Sequence, residues 1–139
     1  MKVTYRSKLG IELIIIFLLV PVFIFFADNN NNKITAISSI GVVLLLLFFL
    51  YKSTYYTVDG IILIIKSAWL VNEKLDITSI TKIAETNNPI SSPATSIDRI
   101  EIFYNKFDSI LISPIDKEKF INHLKKIKPT IKVVYKSKR

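Results

Sequence analysis

The chain has 139 residues, no cysteine, one histidine and a formal net charge of +8. This composition excludes disulfides, thiolate metal sites and cysteine nucleophiles. The 88 residues that follow the second of two apolar runs are enough for one small domain and too few for two. We therefore expect an apolar segment followed by a single domain.

Residues 1–8 are short and basic, and we interpret them as a cytoplasmic segment that flanks a membrane rather than as part of a domain. A basic start before an apolar run is also typical of a secretory signal peptide. Against cleavage, the residue two positions before Ala27 is a bulky phenylalanine, where a cleavage site needs a small residue. We expect the first run to be retained.

Residues 9–51 contain two apolar runs, at 11–27 and 34–51, joined by an asparagine-rich stretch. As helices they would each be roughly 25–27 Å long, near the lower limit for the hydrocarbon core. Because backbone groups in hydrocarbon need internal partners, the runs predict a transmembrane helical hairpin. Small residues in the second run also predict packing against the first run or against another copy of the chain. These small residues are Ser38, Ser39 and Gly41.

Basic residues around the hairpin predict its orientation. Five of them flank it, namely Lys2, Arg6, Lys8, Lys52 and Lys66, whereas Lys33 is the one between the runs. An excess of lysine and arginine marks the cytoplasmic side of a membrane. Both termini and the domain are therefore expected in the cytoplasm. Glu12, in the first helical turn, is expected to reach the interface near Arg6 or Lys8.

After residue 53 the pattern changes to short runs rich in β-branched and aromatic residues. Asp59-Gly60 is a strong signal for a hairpin turn. Residues 72–76 are polar and predict a turn, and residues 87–96, with two prolines, predict irregular structure. Strands are expected at 54–58, 61–66, 67–71, 77–86, 99–104 and 109–113.

One soluble helix follows. Asp116 is a suitable N-cap, and Pro129 ends the helix. Its apolar stripe consists of Phe120, Ile121, Leu124 and Ile127. The expected fold is α+β: a transmembrane helical hairpin, then a small antiparallel β-barrel or curled sheet over residues 54–128 that is capped by this amphipathic helix. Residues 129–139 are expected to form a basic tail, which begins with a short β-like piece at Ile131, Val133, Val134 and Tyr135.

The run Ser91-Ser92-Pro93-Ala94-Thr95-Ser96-Ile97-Asp98-Arg99, followed by Ile112-Ser113-Pro114 and Phe120, resembles the signature of YyaB-like bacterial pleckstrin-homology (PH) domains. The resemblance covers residues 55–127. It implies a PH-like β-barrel with a C-terminal helix, preceded by two membrane spans.

The resemblance implies a function without enzymatic activity. On this basis we expect an integral membrane protein that displays a cytoplasmic interaction or scaffold domain, which binds a protein partner or the anionic inner leaflet. Some membrane-anchored bacterial domains of this kind also resemble bacteriocin immunity proteins. A toxin-immunity membrane protein is therefore the alternative.

Two interpretations remain open for the charged pair Asp98 and Arg99. In the first, Asp98 accepts backbone N–H groups of the preceding loop while Arg99 covers a barrel edge. In the second, the loop and Arg99 form a recognition surface for a peptide or an anionic group. This candidate surface consists of Ser91, Ser92, Ser96, Asp98 and Arg99.

The basic C-terminal residues are candidate contacts to anionic lipid. They are Lys125, Lys126, Lys128, Lys132, Lys136, Lys138 and Arg139. Nucleic acid is not an expected partner, because most of these lysines have no neighbouring aromatic residue on which a base could stack. We expect no catalytic, cofactor or metal site, since His123 is the only histidine and no nucleophile can be assigned to it. Aromatic residues such as Trp69 are expected to serve the core or the membrane interface.

Overall fold

The computed structural model describes residues 2–27, 33–67, 71–87, 96 and 98–136, with the backbone alone at 33 and 36. Its helices are α1 (Ile11–Ala27), α2 (Lys33–Ser53) and α3 (Lys117–Ile127). Its strands are β1 (Lys2–Arg6), β2 (Thr54–Asp59), β3 (Ile62–Ser67), β4 (Val71–Asp76), β5 (Ile80–Thr86), β6 (Arg99–Tyr104), β7 (Asp108–Ile112) and β8 (Lys132–Val134). A 3-10 turn at Ile77–Ser79 precedes β5.

The first strand precedes the two apolar helices in the sequence but lies beside the strand that follows them. β1 pairs antiparallel with β2, from Lys2 opposite Asp59 to Arg6 opposite Tyr55. Residues 2–6, which we expected to lie outside the domain, instead form its first strand. The helical hairpin is thus an insertion between two neighbouring strands, and both of its ends leave the domain at the same place.

The strands form two four-stranded sheets, in the orders β1-β2-β3-β4 and β7-β6-β5-β8. The sheets meet beside the hairpin, where Ser7 bridges to Pro114. There the Lys8 N–H donates to the Ser113 carbonyl at 2.6 Å, and the Ile115 N–H donates to the Arg6 carbonyl at 3.1 Å. β1 therefore joins the sheets at the hairpin end.

α3 covers the core between the sheets, as the apolar stripe predicted. Phe120, Ile121 and Leu124 are fully or almost fully buried. The predicted N-cap is confirmed, because the Asp116 carboxylate accepts the Lys119 N–H at 3.0 Å. Tyr5 of β1 packs edge-on against Phe120, with 5.1 Å between ring centroids. The N-terminal strand thus contributes to the core as well as to the sheet.

Most strand predictions are confirmed, including the turn at Asp59-Gly60. Asp59 pairs with Ile62, and Gly60 has a φ of +58°, a left-handed conformation that glycine adopts readily. The predicted turn at residues 72–76 is wrong, because these residues belong to β4. Most of their side chains are exposed, and hydrogen bonding to β3 makes the segment a strand. Because this pairing is a tertiary contact, the polar sequence did not predict it.

Three predicted features lie outside the described residues: the asparagine-rich turn at 28–32, the strand segment around Trp69 and most of the irregular stretch at 87–96. The strand predicted to begin at residue 77 begins at Ile80 instead. The Asp76 carboxylate accepts the Thr78 N–H at 2.8 Å and holds the intervening 3-10 turn.

Both apolar runs form helices, and α1 has the predicted bounds. In the described part of the chain, however, none of the helices is long and apolar enough to cross a membrane. The predicted crossing is thus unsupported: α1 has 17 residues, and the first third of α2 includes Thr35, Ser38 and Ser39. A Cβ added at Gly41 would meet nothing within 4 Å, so Gly41 does not pack closely against α1.

We predict that the domain folds only when β1 is present. A chain made of residues 54–136 would leave the β2 edge unpaired and Phe120 without Tyr5, and should not unfold cooperatively. Residues 2–7 joined through Asn-Gly to residues 54–136 should fold, because Ser7 and Thr54 are already hydrogen-bonded neighbours. Thermal unfolding monitored by circular dichroism compares the two chains. Equal cooperativity in both would contradict a structural role for β1.

Candidate functional site

Charged side chains cluster where α1 leaves the domain, and we call this cluster the hairpin junction. The start of α1, the end of β5, the start of β6 and the start of α3 each supply residues to it. The hairpin junction consists of Lys8, Gly10, Glu12, Glu85, Ser96, Asp98, Arg99 and Lys117.

Two lysines share the carboxylate of Asp98. The Lys8 ammonium lies 2.9 Å from one oxygen, and the Lys117 ammonium binds the other. Lys117 also lies 3.3 Å from the carboxylate of Glu85, so one cation joins β5, β6 and α3. The side chains of Lys117 and Glu85 are only about one-fifth exposed, which makes this pair less screened by solvent than a surface ion pair.

These contacts shift the protonation of both partners. Burial alone would raise the pKa of Asp98, but hydrogen bonds and charge from Lys117 and Lys8 outweigh it and hold this pKa below its ordinary value. Burial alone would lower the pKa of Lys117, but Asp98 and Glu85 outweigh it and raise this pKa. Both groups are therefore charged at neutral pH, so the ion pair that connects α3 with the start of β6 is present there.

Gly10 lets α1 approach the loop before β6. A Cβ added at Gly10 would lie 2.7 Å from the Ser96 Cα and would also collide with the Glu12 carboxylate. Backbone atoms cannot move aside cheaply, so a residue other than glycine would push α1 away from the domain. The contact makes the start of α1 part of the domain surface.

Arg99 lies inside the junction. It is 8% exposed, and its Nε donates to the Ser96 carbonyl. Burial lowers the pKa of the Arg99 guanidinium, while Tyr56 and Glu12 act in the opposite direction. Arg99 is therefore buried and bound within the domain, and the interpretation that it covers a barrel edge stays a prediction.

Glu12 is half-buried at the start of α1, and its Oε2 atom is buried without a hydrogen-bond partner among the described residues. The expectation that it reaches an interface near Arg6 or Lys8 stays a prediction. The Glu12 carboxylate acts on Arg99, whose pKa it raises against the effect of burial. The only sequence signal for this arrangement was the single acidic residue in an otherwise apolar run.

Part of the candidate recognition surface is used within the molecule. Ser91 and Ser92 lie outside the described residues. Ser96, Asp98 and Arg99 do come together, but Ser96 accepts from the Asp98 N–H at 3.2 Å, and Asp98 pairs with lysines rather than with backbone N–H groups of the loop. This geometry fits a joint between the hairpin and the domain better than a surface awaiting a ligand.

A network of hydroxyl groups lies beside the junction. Ser7 Oγ lies 2.8 Å from the Tyr56 hydroxyl and 3.1 Å from Ser113 Oγ. Tyr56 also accepts the Ser113 N–H at 3.1 Å. His123 hydrogen-bonds to the Tyr5 hydroxyl at 2.9 Å instead of to a serine. In the described ranges, no group of three metal-ligating side chains converges.

The candidate lipid contacts are distributed over several faces. Lys125 and Lys126 are exposed on α3, and Lys132 is exposed on β8. Lys128 donates to the carbonyls of Thr78 and Ile80 at 2.6 and 2.7 Å, at the end of the domain far from the hairpin. The Lys136 N–H donates to the Glu85 carboxylate at 3.0 Å. Lys138 and Arg139 lie outside the described residues.

Two sheets joined through β1, with a C-terminal helix over the core, define a PH-like domain. A family model described as a bacterial PH domain matches residues 54–128, more than half of the chain, and the chain belongs to this family. No curated protein and no solved structure matches the chain significantly. PH domains are generally non-catalytic interaction modules, which indicates an interaction or scaffold role. The matched range begins after the hairpin and does not include β1.

We predict that Arg99→Ala lowers the free energy of unfolding by about 1–3 kcal/mol, because it removes a buried side chain and the hydrogen bond that this side chain donates to the Ser96 carbonyl. Lys74→Ala, a substitution at an exposed position of β4, is the control and should change little. Denaturant unfolding of the full chain measures both. An Arg99→Ala variant as stable as the control would restore the view that Arg99 serves recognition.

We predict that Asp98→Asn lowers the free energy of unfolding by up to about 1 kcal/mol at pH 7. The effect is small because solvent screens the half-exposed carboxylate. The native pKa of Asp98 lies below its ordinary 3.8, so its stabilisation is present above that value and is lost as the pH falls through the lowered native pKa. The stabilities of wild type and variant should therefore converge in strong acid. Asp59→Asn, at the exposed end of β2, controls for net charge. A constant difference at all pH values would contradict this assignment.

Proposed function

We propose that this chain is a non-catalytic interaction protein of the bacterial cytoplasmic membrane, in which the helical hairpin is embedded in lipid and holds the PH domain on the cytoplasmic side. The domain then presents its surface to a protein partner. The Ser-Pro-Ala-x-Ser-x-Asp-Arg run supports a YyaB-like member of the family.

The observation that carries the proposal is the apolar surface of the hairpin. Phe23, Phe26 and Leu45 are 73%, 79% and 71% exposed, whereas large apolar side chains of the domain core are fully buried. Exposed apolar residues continue along both helices. Soluble proteins rarely expose apolar patches beyond a few hundred square ångströms, and lipid removes this surface from water.

The base of the hairpin has the residues of a membrane interface. The Arg6 guanidinium lies 5.6 Å from the centre of the Tyr51 ring, and the Lys52 ammonium lies 5.7 Å from the Phe48 ring. Aromatic and basic residues are favoured at the headgroup level, where an apolar body meets a polar surface. These pairs mark the point at which the apolar helices meet the polar domain.

The topology supports the proposed orientation. Because the hairpin is inserted between paired strands, the N-terminal strand and the rest of the domain must lie on the same side of any membrane that the hairpin enters. The basic residues at the base of the hairpin favour the cytoplasmic side. The hairpin junction then fixes the domain at the lipid surface through Gly10 and the Lys8–Asp98 pair.

The chain lacks cysteine, which makes labelling of single introduced cysteines direct. We expect the full chain to stay in the membrane pellet after alkaline carbonate, and Asp59→Cys to react with an impermeant maleimide only after the cells are lysed. Asn30→Cys reports on the other end of the hairpin: labelling in intact cells indicates that it reaches the far side, and protection before and after lysis indicates that it remains in lipid.

Release of the chain by carbonate would contradict the proposal, as would labelling of Asp59→Cys in intact cells. The chain in which residues 2–7 are joined through Asn-Gly to residues 54–136 is the matched control. It keeps the domain and lacks the hairpin, and it should stay in the supernatant.

A further inference from the structure

A groove of about 770 Å³ lies between β1 and α3. Val3 and Tyr5 line it from the inner face of β1, and Lys119, His123 and Lys126 line it from α3. The helix positions are spaced i, i+4 and i+7, so they lie on one face of α3, next to the face that packs on the core. The groove is therefore built by two elements whose packing is fixed.

The strand side of the groove offers backbone hydrogen bonds. β1 is at the edge of its sheet. The Ser7 N–H donates to the Thr54 carbonyl of β2. Along an antiparallel strand, the N–H and C=O groups of successive residues point alternately toward and away from the neighbouring strand. Those of Thr4, three residues before Ser7, therefore point away from β2. The Arg6 carbonyl, two residues on, is used by Ile115. The edge is therefore closed near the hairpin, and within the described ranges no strand pairs with it at Thr4, so an extended chain can add there.

The helix side of the groove is positively charged. Lys119, Lys125 and Lys126 line it, and Asp116 is the acidic partner of Lys119, at 3.0 Å. That pair is exposed, with the Lys119 side chain 80% accessible, so an incoming carboxylate competes for the lysine at little cost. The groove therefore favours anionic side chains.

The position of the groove favours a peptide over lipid headgroups. From Ser7 at the hairpin end, β1 extends away from the proposed membrane, and Val3 is four residues, about 13 Å, farther along. The lysines of α3 follow the same direction toward Lys128, which binds carbonyls at the far end of the domain. A lipid headgroup at the base of the hairpin would not reach Lys126.

We propose that the groove between β1 and α3 binds an extended acidic segment of a partner protein, which adds a strand to the edge of β1 at Thr4 and places alternate carboxylates against Lys119 and Lys126. Side chains of an added strand alternate, so every second one faces α3 and is about 7 Å from the next. This inference rests on the proposed interaction role and specifies its surface.

The test uses the full chain in phosphatidylcholine nanodiscs and a fluorescent six-residue peptide that alternates threonine and glutamate. Fluorescence polarisation should show saturable binding. Lys119→Gln with Lys126→Gln should weaken it about tenfold through two lost ion pairs. Lys74→Gln with Lys132→Gln, the same charge change at exposed positions outside the groove, should change it less than twofold. The peptide with methylated backbone nitrogens should not bind.

Failure of the glutamate peptide to bind would overturn the inference, and so would equal binding of the methylated peptide or equal losses in the two double variants. Displacement of the peptide by phosphatidylglycerol in the nanodisc would assign the lysines to lipid instead. Membrane embedding is measured separately by carbonate extraction, so a chain that stays in the membrane and does not bind the peptide would refute the groove alone.

Discussion

The pairing of β1 with β2 is the constraint on which the rest of the structure depends. It brings the two ends of the hairpin together, because Arg6 and Tyr55 face each other across the pair. It places Tyr5 on the core beside Phe120, and it aligns Ser7 with Ser113 so that the two sheets meet. Without β1, the hairpin would be an N-terminal appendage, and the core would lose part of its cover.

The hairpin junction attaches the inserted hairpin to the domain. Lys117 holds Glu85 and Asp98 together, and Lys8 ties Asp98 to the chain that enters α1. Gly10 permits close approach, Arg99 is buried, and one carboxylate oxygen of Glu12 is buried as well. Because removing one member of such a cluster leaves another charge poorly compensated, the group acts as a unit.

Features with local signals could be predicted from the sequence. Asp59-Gly60 marks a turn through backbone conformation, Asp116 marks a helix start through capping, and the stripe from Phe120 to Ile127 marks the buried face of α3. β1 has no comparable signal. Its five residues alternate, but they precede a long apolar run, and their partner strand follows 47 intervening residues later. The junction was missed for the same reason, since Lys8, Glu85, Asp98 and Lys117 are brought together by tertiary structure alone.

The insertion also determines the order in which the molecule is assembled during translation. β1 leaves the ribosome first, but its partner follows only after residues 7–53, which takes roughly 2–10 s at ordinary rates of synthesis. The apolar helices are therefore exposed before the sheet exists to which they are attached. Synthesis of the hairpin therefore precedes the pairing of β1 with β2, and the nascent N-terminal strand must remain unpaired and free of aggregation in the meantime.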